Sequence, residues 1–196
     1  YLMTSATNGV PIEGLPQNVE QGKLVFIKSA TGSAKTDLLK YLCKQARMKN
    51  SDVCSVVARQ VLAVAHAKSF RLANYLDEET KRSGRLDAVW CLDSIQKIVY
   101  GDNHYILLID EFNSVVSDLK KLHGNISKVR YQYIEKLHEL MLMSEMVVCV
   151  DADLTTEAVK FGCRLVKEDG VMMKEAILIV NTHKPKPKCS VRLLHH

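Results

Sequence analysis

Long apolar runs, a secretory leader and a strong charge of one sign are all missing from this sequence. It contains no run of about eighteen apolar residues, so no segment is expected to span a membrane. No charged and then apolar leader opens the chain, so no secretory signal is expected. The net charge of +5 favours an anionic partner only slightly, because surface charge also serves solubility. We expect an intracellular protein, from the nucleus or cytoplasm of a host cell or from a bacterial cytoplasm.

The six cysteines lack the close spacing of a zinc site or a redox motif. Cys54, Cys91 and Cys149 lie within or beside apolar runs, and they are predicted to be small buried hydrophobic residues. Unpaired cysteines of this kind indicate a reducing compartment.

The chain divides into three parts by composition. Residues 1–22 are rich in Gly, Pro, Asn and Ser and are predicted to form an extended lead-in. Residues 23–182 alternate apolar runs with helical patterns. Residues 183–196, which are rich in Pro and Lys at their start, are predicted to form a linker or tail. Strands are predicted at 24–27, 53–57, 88–91, 105–109, 146–150 and 176–180. Helices are predicted at 36–46, 60–75, 93–99, 131–143 and 155–161, the fourth with Tyr131, Ile134, Leu137, His138 and Met141 on one face.

The predicted strands are continuously apolar rather than alternating. That pattern is typical of strands buried on both faces of a parallel sheet. Alternation of strands and helices then predicts a three-layer α/β domain with a mostly parallel central sheet.

A phosphate-binding loop is predicted in the segment LVFIKSATGSAKTDLLKYL, residues 24–42. An apolar strand is followed by a loop of small residues and then a helix, so backbone N–H groups converge on an anion at the helix start. Lys35 suits the β and γ phosphates, and the hydroxyl of Thr36 suits magnesium. Ser29 and Ala34 replace the glycines of the usual pattern, and the methyl group of Ala34 restricts close backbone approach. The alternative is a turn of small residues that happens to precede Lys-Thr.

An acidic pair, Asp110 and Glu111, ends the segment YILLIDE, residues 105–111. Asp110 is predicted at the carboxyl end of this strand, where open α/β sheets bind ligands, and it would hold magnesium. Glu111 would polarise the attacking water. The alternative is that both acids cap the next helix, since acids suit a first turn.

A third strand ends in the polar segment 151–155, DADLT. Asp151 and Asp153 are candidates for coupling nucleotide state to another site. The alternative is that Asp153 or Thr155 caps the following helix.

Together these segments resemble superfamily 2 helicases. Residues 29–36 (SATGSAKT) look like their motif I, and residues 110–113 (DEFN) look like their DExx box. Residues 56–63 and 91–98 resemble the segments that contact the nucleic-acid strand, and residues 148–155 lie where the third motif falls. The boxes DSIQKI and VDADLT are similar to those of herpesvirus-type replication origin-binding helicases and of related plasmid and large-virus replication proteins.

The resemblance implies a RecA-like, DEAD-like P-loop motor domain that binds ATP and Mg²⁺. It implies that Asp110 and Thr36 hold the metal, and that Glu111 and Lys35 are catalytic. It places Arg59, Gln60, Ser94 and Lys97 along single-stranded or duplex nucleic acid, with DNA favoured over RNA. Arg59 and Lys97 have an alternative role as solvated helix ends. The nucleotide would lie against Ser29, Ala30, Thr31, Gly32, Ser33, Ala34, Lys35 and Thr36.

Such motors hydrolyse ATP between two RecA-like domains, the second of which supplies arginines that stabilise the transition state. No second set of strand–helix units follows in this sequence, so we expect weak nucleotide binding and slow hydrolysis. Two other functions remain open. One is a degenerate P-loop module that binds nucleic acid or a partner without turnover. The other is a small-molecule or nucleotide kinase. The lack of an arginine-rich lid in the sequence argues against the kinase.

Overall fold

The computed structural model describes residues 22–30, 35–121 and 125–181. The predicted lead-in (except Gly22), loop residues 31–34 and the predicted tail lie outside these ranges. The strands are β1 (Lys23–Ser29), β2 (Asp52–Val57), β3 (Ala73–Asn74), β4 (Ala88–Cys91), β5 (Tyr105–Asp110), β6 (Met146–Asp151), β7 (Lys167–Glu168), β8 (Val171–Met172) and β9 (Glu175–Asn181). The α-helices are α1 (Lys35–Met48), α2 (Gln60–Phe70), α3 (Glu78–Ser83), α4 (Phe112–Lys120), α5 (Asn125–Met143) and α6 (Thr156–Leu165), and a 3-10 helix covers Leu92–Lys97.

Seven strands form one parallel sheet in the order β3-β4-β2-β5-β6-β1-β9, while β7 and β8 form a separate antiparallel hairpin. The central strands are continuously buried, as in β5 and β6, because helices cover both faces of the sheet. The structure confirms the predicted α/β fold with a mostly parallel central sheet.

The helices lie on two faces because the chain reverses direction across the sheet. The connections from β1 to β2 and from β2 to β3 run one way, and α1 and α2 pack against each other and against β2. The connections from β4 to β5, β5 to β6 and β6 to β9 run the other way, and the 3-10 helix, α4, α5 and α6 pack together. Right-handed crossovers in opposite directions place their helices on opposite faces, which produces three layers.

The helix predicted at 60–75 is too long. It ends at Phe70, since Arg71 adopts a left-handed conformation with φ of 55° and its N–H donates to the Ala67 carbonyl. The chain then forms the short edge strand β3, which pairs with β4. Left-handed residues commonly end helices in this way.

The buried face of the long helix also differs from the prediction. Tyr131 was placed on that face but is 75% exposed, whereas Leu137 and Met141 are fully buried. Tyr133, four residues before Leu137, packs against the core instead. The segment predicted as a helix at 93–99 forms the 3-10 helix, and α3, α4 and the β7–β8 hairpin were not predicted.

No helix within the described ranges is long and apolar enough to cross a bilayer.

The prediction that Cys54, Cys91 and Cys149 are buried is confirmed, and Cys43 is buried as well. Burial raises the pKa of Cys43 and of Cys54 to about 12 and that of Cys91 to about 11, and it raises the pKa of Cys149 well above its usual value. Cys163 is partly exposed, although burial raises its pKa too.

We therefore expect Cys163 to react with a thiol reagent at pH 8 at least about tenfold faster than those four, because thiolate fraction and access set the rate. Below their raised pKa values the buried thiols stay protonated, so their labelling should rise with pH. A Cys189→Ser background removes the remaining thiol, and peptide mass spectrometry assigns the sites. Equal labelling of all five cysteines in folded protein would contradict this packing.

Candidate nucleotide site

The predicted site residues lie where several parallel strands end. Strand β6 lies between β1 and β5, with Asp110 opposite Val150 and Lys28 opposite Asp151. The carboxyl ends of these strands therefore form one edge of the sheet. Open α/β sheets bind their ligands at this edge.

Lys35 is the first residue of α1, and its ammonium group faces back toward the end of β1. Lys35 Nζ donates to the Ser29 carbonyl at 2.6 Å and to the Ala30 carbonyl at 3.2 Å. Thr36 follows and is exposed at the first turn of the helix. The cation and the hydroxyl thus lie at a helix N-terminus, where the dipole favours an anion. Thr31, Gly32, Ser33 and Ala34 lie outside the described residues.

Ser29 has a buried side chain at the end of β1. Its hydroxyl accepts a hydrogen bond from Asn181 Nδ2 at 2.9 Å, and Asn181 is the last residue of β9. The serine that replaces the first glycine of the loop is therefore bound to the neighbouring strand. This contact fixes the point at which the loop leaves the sheet.

Asp110 ends β5 and both of its carboxylate oxygens have partners. Oδ1 accepts from the backbone N–H of Glu111 at 2.9 Å, and Oδ2 lies 3.1 Å from His66 Nε2. The His66 Nδ1 atom lies 3.2 Å from Ser55 Oγ. The carboxylate is thus held in one orientation by the Glu111 N–H and by His66 of α2, which in turn contacts Ser55 of β2.

Glu111 precedes α4 with a left-handed backbone, φ 51°. A non-glycine residue in this region is uncommon and often marks a functional position. Its side chain forms no cap hydrogen bond with α4, so the capping alternative has no contact to support it. One oxygen, Oε2, is buried and has no hydrogen-bond partner among the described residues, and Arg59 Nε lies 3.9 Å from it.

A polar network joins the DEFN segment to the end of β6. The Asn113 N–H donates to Asp151 Oδ2 at 2.8 Å, and its amide nitrogen donates to the Asp153 carbonyl. Asp151 Oδ1 accepts from the Asp153 N–H at 2.9 Å, and the Thr155 N–H donates to Asn113 Oδ1 at 3.2 Å. Thr155 also caps α6 by accepting from the Ala158 N–H at 3.2 Å. Thr155 is therefore the cap, and Asp153 is not.

The four predicted nucleic-acid residues follow two other strands at the same edge. Arg59 and Gln60 are exposed at the start of α2, directly after β2. Ser94 and Lys97 lie in the 3-10 helix that follows β4, where Ser94 Oγ donates to Asp93 Oδ1 at 3.0 Å. Arg59 and Lys97 are both exposed, which suits a role in binding a strand and also the alternative of solvated helix ends.

The acidic groups present suit magnesium bound together with phosphate rather than a closed protein site. Across residues 22–30, 35–121 and 125–181, no group of three or more His, Cys, Asp or Glu side chains could hold a metal ion. Magnesium typically takes one or two carboxylates and completes its shell with water and phosphate oxygens. Asp110 and Thr36, the predicted ligands, are groups of this kind, and Glu111 follows Asp110 directly in the chain.

The fold is similar to solved helicase structures. The helicase domain of Pyrococcus furiosus Hef superposes with a TM-score of 0.53 at 16% identity, covering 84% of this chain. The chain therefore has the fold of a helicase domain. S. cerevisiae Dbp5, in a complex with Nup159, Gle1, IP6 and ADP, superposes with a TM-score of 0.53 at 10% identity over 81% of this chain. This chain spans 36% of the Hef chain and 44% of the Dbp5 chain.

No protein-family model matches the sequence. No curated protein is significantly similar to it.

Three residues of the candidate site were not identified from the sequence: His66, Asn113 as a linking residue, and Asn181. The sequence contains a signal for His66, because this polar residue lies at helical spacing between Ala63 and Phe70. These three residues form the buried face of α2. Asn181 had none, because only the sheet order brings the end of β9 beside β1.

Proposed function

We propose that this chain is the nucleotide-binding first motor domain of an ATP-dependent DNA helicase or translocase that acts in replication. The observation that carries the proposal is the meeting, at one sheet edge, of the Lys35–Thr36 helix start with the Asp110–Glu111 pair. The similarity of residues 93–98 and 150–155 to boxes of viral and plasmid replication helicases supports the replication role.

In this proposal each group has one role toward Mg²⁺ and ATP. Lys35 would exchange its bonds to loop carbonyls for bonds to phosphate oxygens, and residues 29–36 would surround the phosphates. Asp110 and Thr36 would hold Mg²⁺, which supplies charge neutralisation when bound. Glu111 would accept a proton from the attacking water, and its Oε2, which accepts no hydrogen bond from the described residues, suits that role.

Coupling to nucleic acid would pass through two contacts of this edge. Asn113 links the acidic pair to Asp151 and Asp153, so a shift of α4 would move the end of β6. Arg59 lies 3.9 Å from Glu111, so a strand bound at the start of α2 would lie beside the proposed water-activating acid.

The proposed motor also needs arginines from a second RecA-like domain. Hydrolysis by the 196-residue chain alone is therefore proposed to be slow, and its nucleotide affinity low.

The second candidate is a P-loop module that binds without turnover. It is favoured by Ser29 and Ala34 in place of loop glycines and by the bonds of Lys35 to its own loop. Such a module would bind nucleotide or nucleic acid and leave ATP intact.

Nucleic-acid binding tests the proposal directly. We expect Arg59→Ala with Lys97→Ala to weaken binding of a labelled dT20 or rU20 strand by about tenfold, because two proposed phosphate contacts are removed. The salt dependence of binding should fall for the same reason. Fluorescence anisotropy at several salt concentrations measures both effects. The control is Lys68→Ala, which changes an exposed lysine at the opposite end of α2.

Three outcomes separate the candidates in that experiment, run with a single-turnover ATP assay. Strand binding that depends on Arg59 and Lys97, with ATP hydrolysis, supports the motor, and tighter binding of dT20 than rU20 supports DNA. Strand binding with no hydrolysis supports the module. No strand binding, with phosphate transfer to an added metabolite, supports a kinase and contradicts the proposal.

A further inference from the structure

His66 is a buried histidine in direct contact with the proposed metal-binding carboxylate. It is 5% exposed on α2, and its ring also packs against Phe70 with centroids 4.6 Å apart. Both ring nitrogens lie within hydrogen-bond distance of a partner: Nε2 of Asp110 Oδ2 at 3.1 Å and Nδ1 of Ser55 Oγ at 3.2 Å.

The chemistry of the partners determines where the ring proton lies. A carboxylate only accepts hydrogen bonds, so Nε2 carries the proton and donates it to Asp110. In the neutral ring Nδ1 is then an acceptor, and the hydroxyl of Ser55 donates to it. The chain Ser55 to His66 to Asp110 is thus fully satisfied and runs in one direction, from β2 through α2 to the end of β5.

Asp110 is consequently held from two sides. The Glu111 N–H holds Oδ1, and His66 holds Oδ2, so rotation of the carboxylate would break at least one bond. Hydrogen bonds of this kind orient ligating carboxylates, and their loss typically weakens metal affinity about 10- to 100-fold.

We propose that His66 is a positioning residue that holds Asp110 in the orientation that binds the Mg²⁺ of a nucleotide complex. The proposal rests on the proposed function, since it assigns His66 a role through the metal ligand of that site. Asp110 sets the tautomer of His66, and Ser55 supports that tautomer by donating to Nδ1.

Two conservative variants separate positioning from packing. The amide nitrogen of His66→Gln reaches the place of Nε2 and keeps a donor to Asp110, whereas His66→Asn reaches only the place of Nδ1. Both are neutral, polar and close in size. We expect His66→Asn to raise the Mg²⁺ concentration for half-maximal tightening of a fluorescent ADP about 10- to 100-fold. We expect His66→Gln to change it by less than about threefold, because its bond to Asp110 is kept.

A second measurement is independent of nucleotide and metal. In the free protein, ¹⁵N-resolved histidine ring spectra should show His66 protonated at Nε2 and bare at Nδ1. Ser55→Ala should increase the Nδ1-protonated form, because it removes the hydroxyl donor. Thermal unfolding of all variants reports their packing.

The outcomes distinguish this inference from the proposed function. Equal Mg²⁺ requirements for His66→Asn and His66→Gln overturn the positioning role, if Asp110→Asn still removes the Mg²⁺ effect. Loss of stability in step with any Mg²⁺ defect also overturns it and leaves a structural histidine. If Mg²⁺ has no effect on the unsubstituted chain, the metal site of the proposed function fails and this role fails with it. A ring that is protonated at Nδ1 and bare at Nε2 overturns the hydrogen-bond direction and with it the positioning role.

Discussion

Glu111→Gln is expected to slow ATP hydrolysis by about 10²- to 10⁴-fold, the usual contribution of a positioned general base. The substitution keeps the shape of the side chain and removes its negative charge. Nucleotide affinity should change by less than about fivefold, because the charged neighbour Arg59 is an exposed partner 3.9 Å away and such pairs are weak. A single-turnover assay with excess protein and radiolabelled ATP measures the rate, and fluorescent ADP measures the affinity.

Glu168→Gln is the matched control, since it removes an exposed acid in the β7–β8 hairpin. It should leave both measurements unchanged. Hydrolysis by Glu111→Gln at the unsubstituted rate would exclude Glu111 as the base. If the unsubstituted chain binds ATP but never hydrolyses it, even with nucleic acid and excess protein, the module without turnover becomes the better account.

Much of the sheet could be predicted because its strands are buried on both faces. Six of the nine strands within the described residues come from apolar runs in the sequence, and each observed strand extends the predicted one by no more than two residues at either end. The two-residue strands β3, β7 and β8 have no such run. They depend on neighbouring strands or on a hairpin, which a local pattern does not contain.

Helix α4 is a different case, because its pattern was present in the sequence. Phe112, Val115, Val116 and Leu119 have helical spacing, and all four are buried. The helix start matters for the site, since Glu111 takes a left-handed conformation to direct the chain from β5 into α4.

The order of residues along the chain predicted which groups could form the site, but not how they are held. The apolar run before Asp110 indicates the end of a strand. The helix start near Lys35 is indicated by the apolar strand and the loop of small residues that precede it. The contacts of His66 with Asp110 and of Asn181 with Ser29 depend on sheet order and on helix position. These contacts are tertiary, so only the structure shows them.

Lys35→Ala is expected to weaken binding of fluorescent ADP or ATP by about 10- to 100-fold, because hydrogen bonds to charged groups contribute about 1.5–3 kcal/mol. The loss should be greater for ATP than for ADP, since the ammonium group is proposed to reach both the β and γ phosphates. Lys40→Ala is the control on the same helix, because Lys40 is exposed and pairs with its neighbour Asp37 at 3.3 Å.

The contacts of Lys35 within the chain affect both nucleotide binding and stability. Lys35 already has two carbonyl acceptors, so it must leave them when it binds phosphate, and part of its binding energy offsets that loss. Lys35→Ala therefore also removes the bonds to the Ser29 and Ala30 carbonyls at the end of β1, and a small fall in thermal stability is expected. Addition of ADP with Mg²⁺ should raise the unfolding temperature of the unsubstituted chain and of Lys40→Ala but not of Lys35→Ala. An equal rise in all three would show that nucleotide binds elsewhere on this chain.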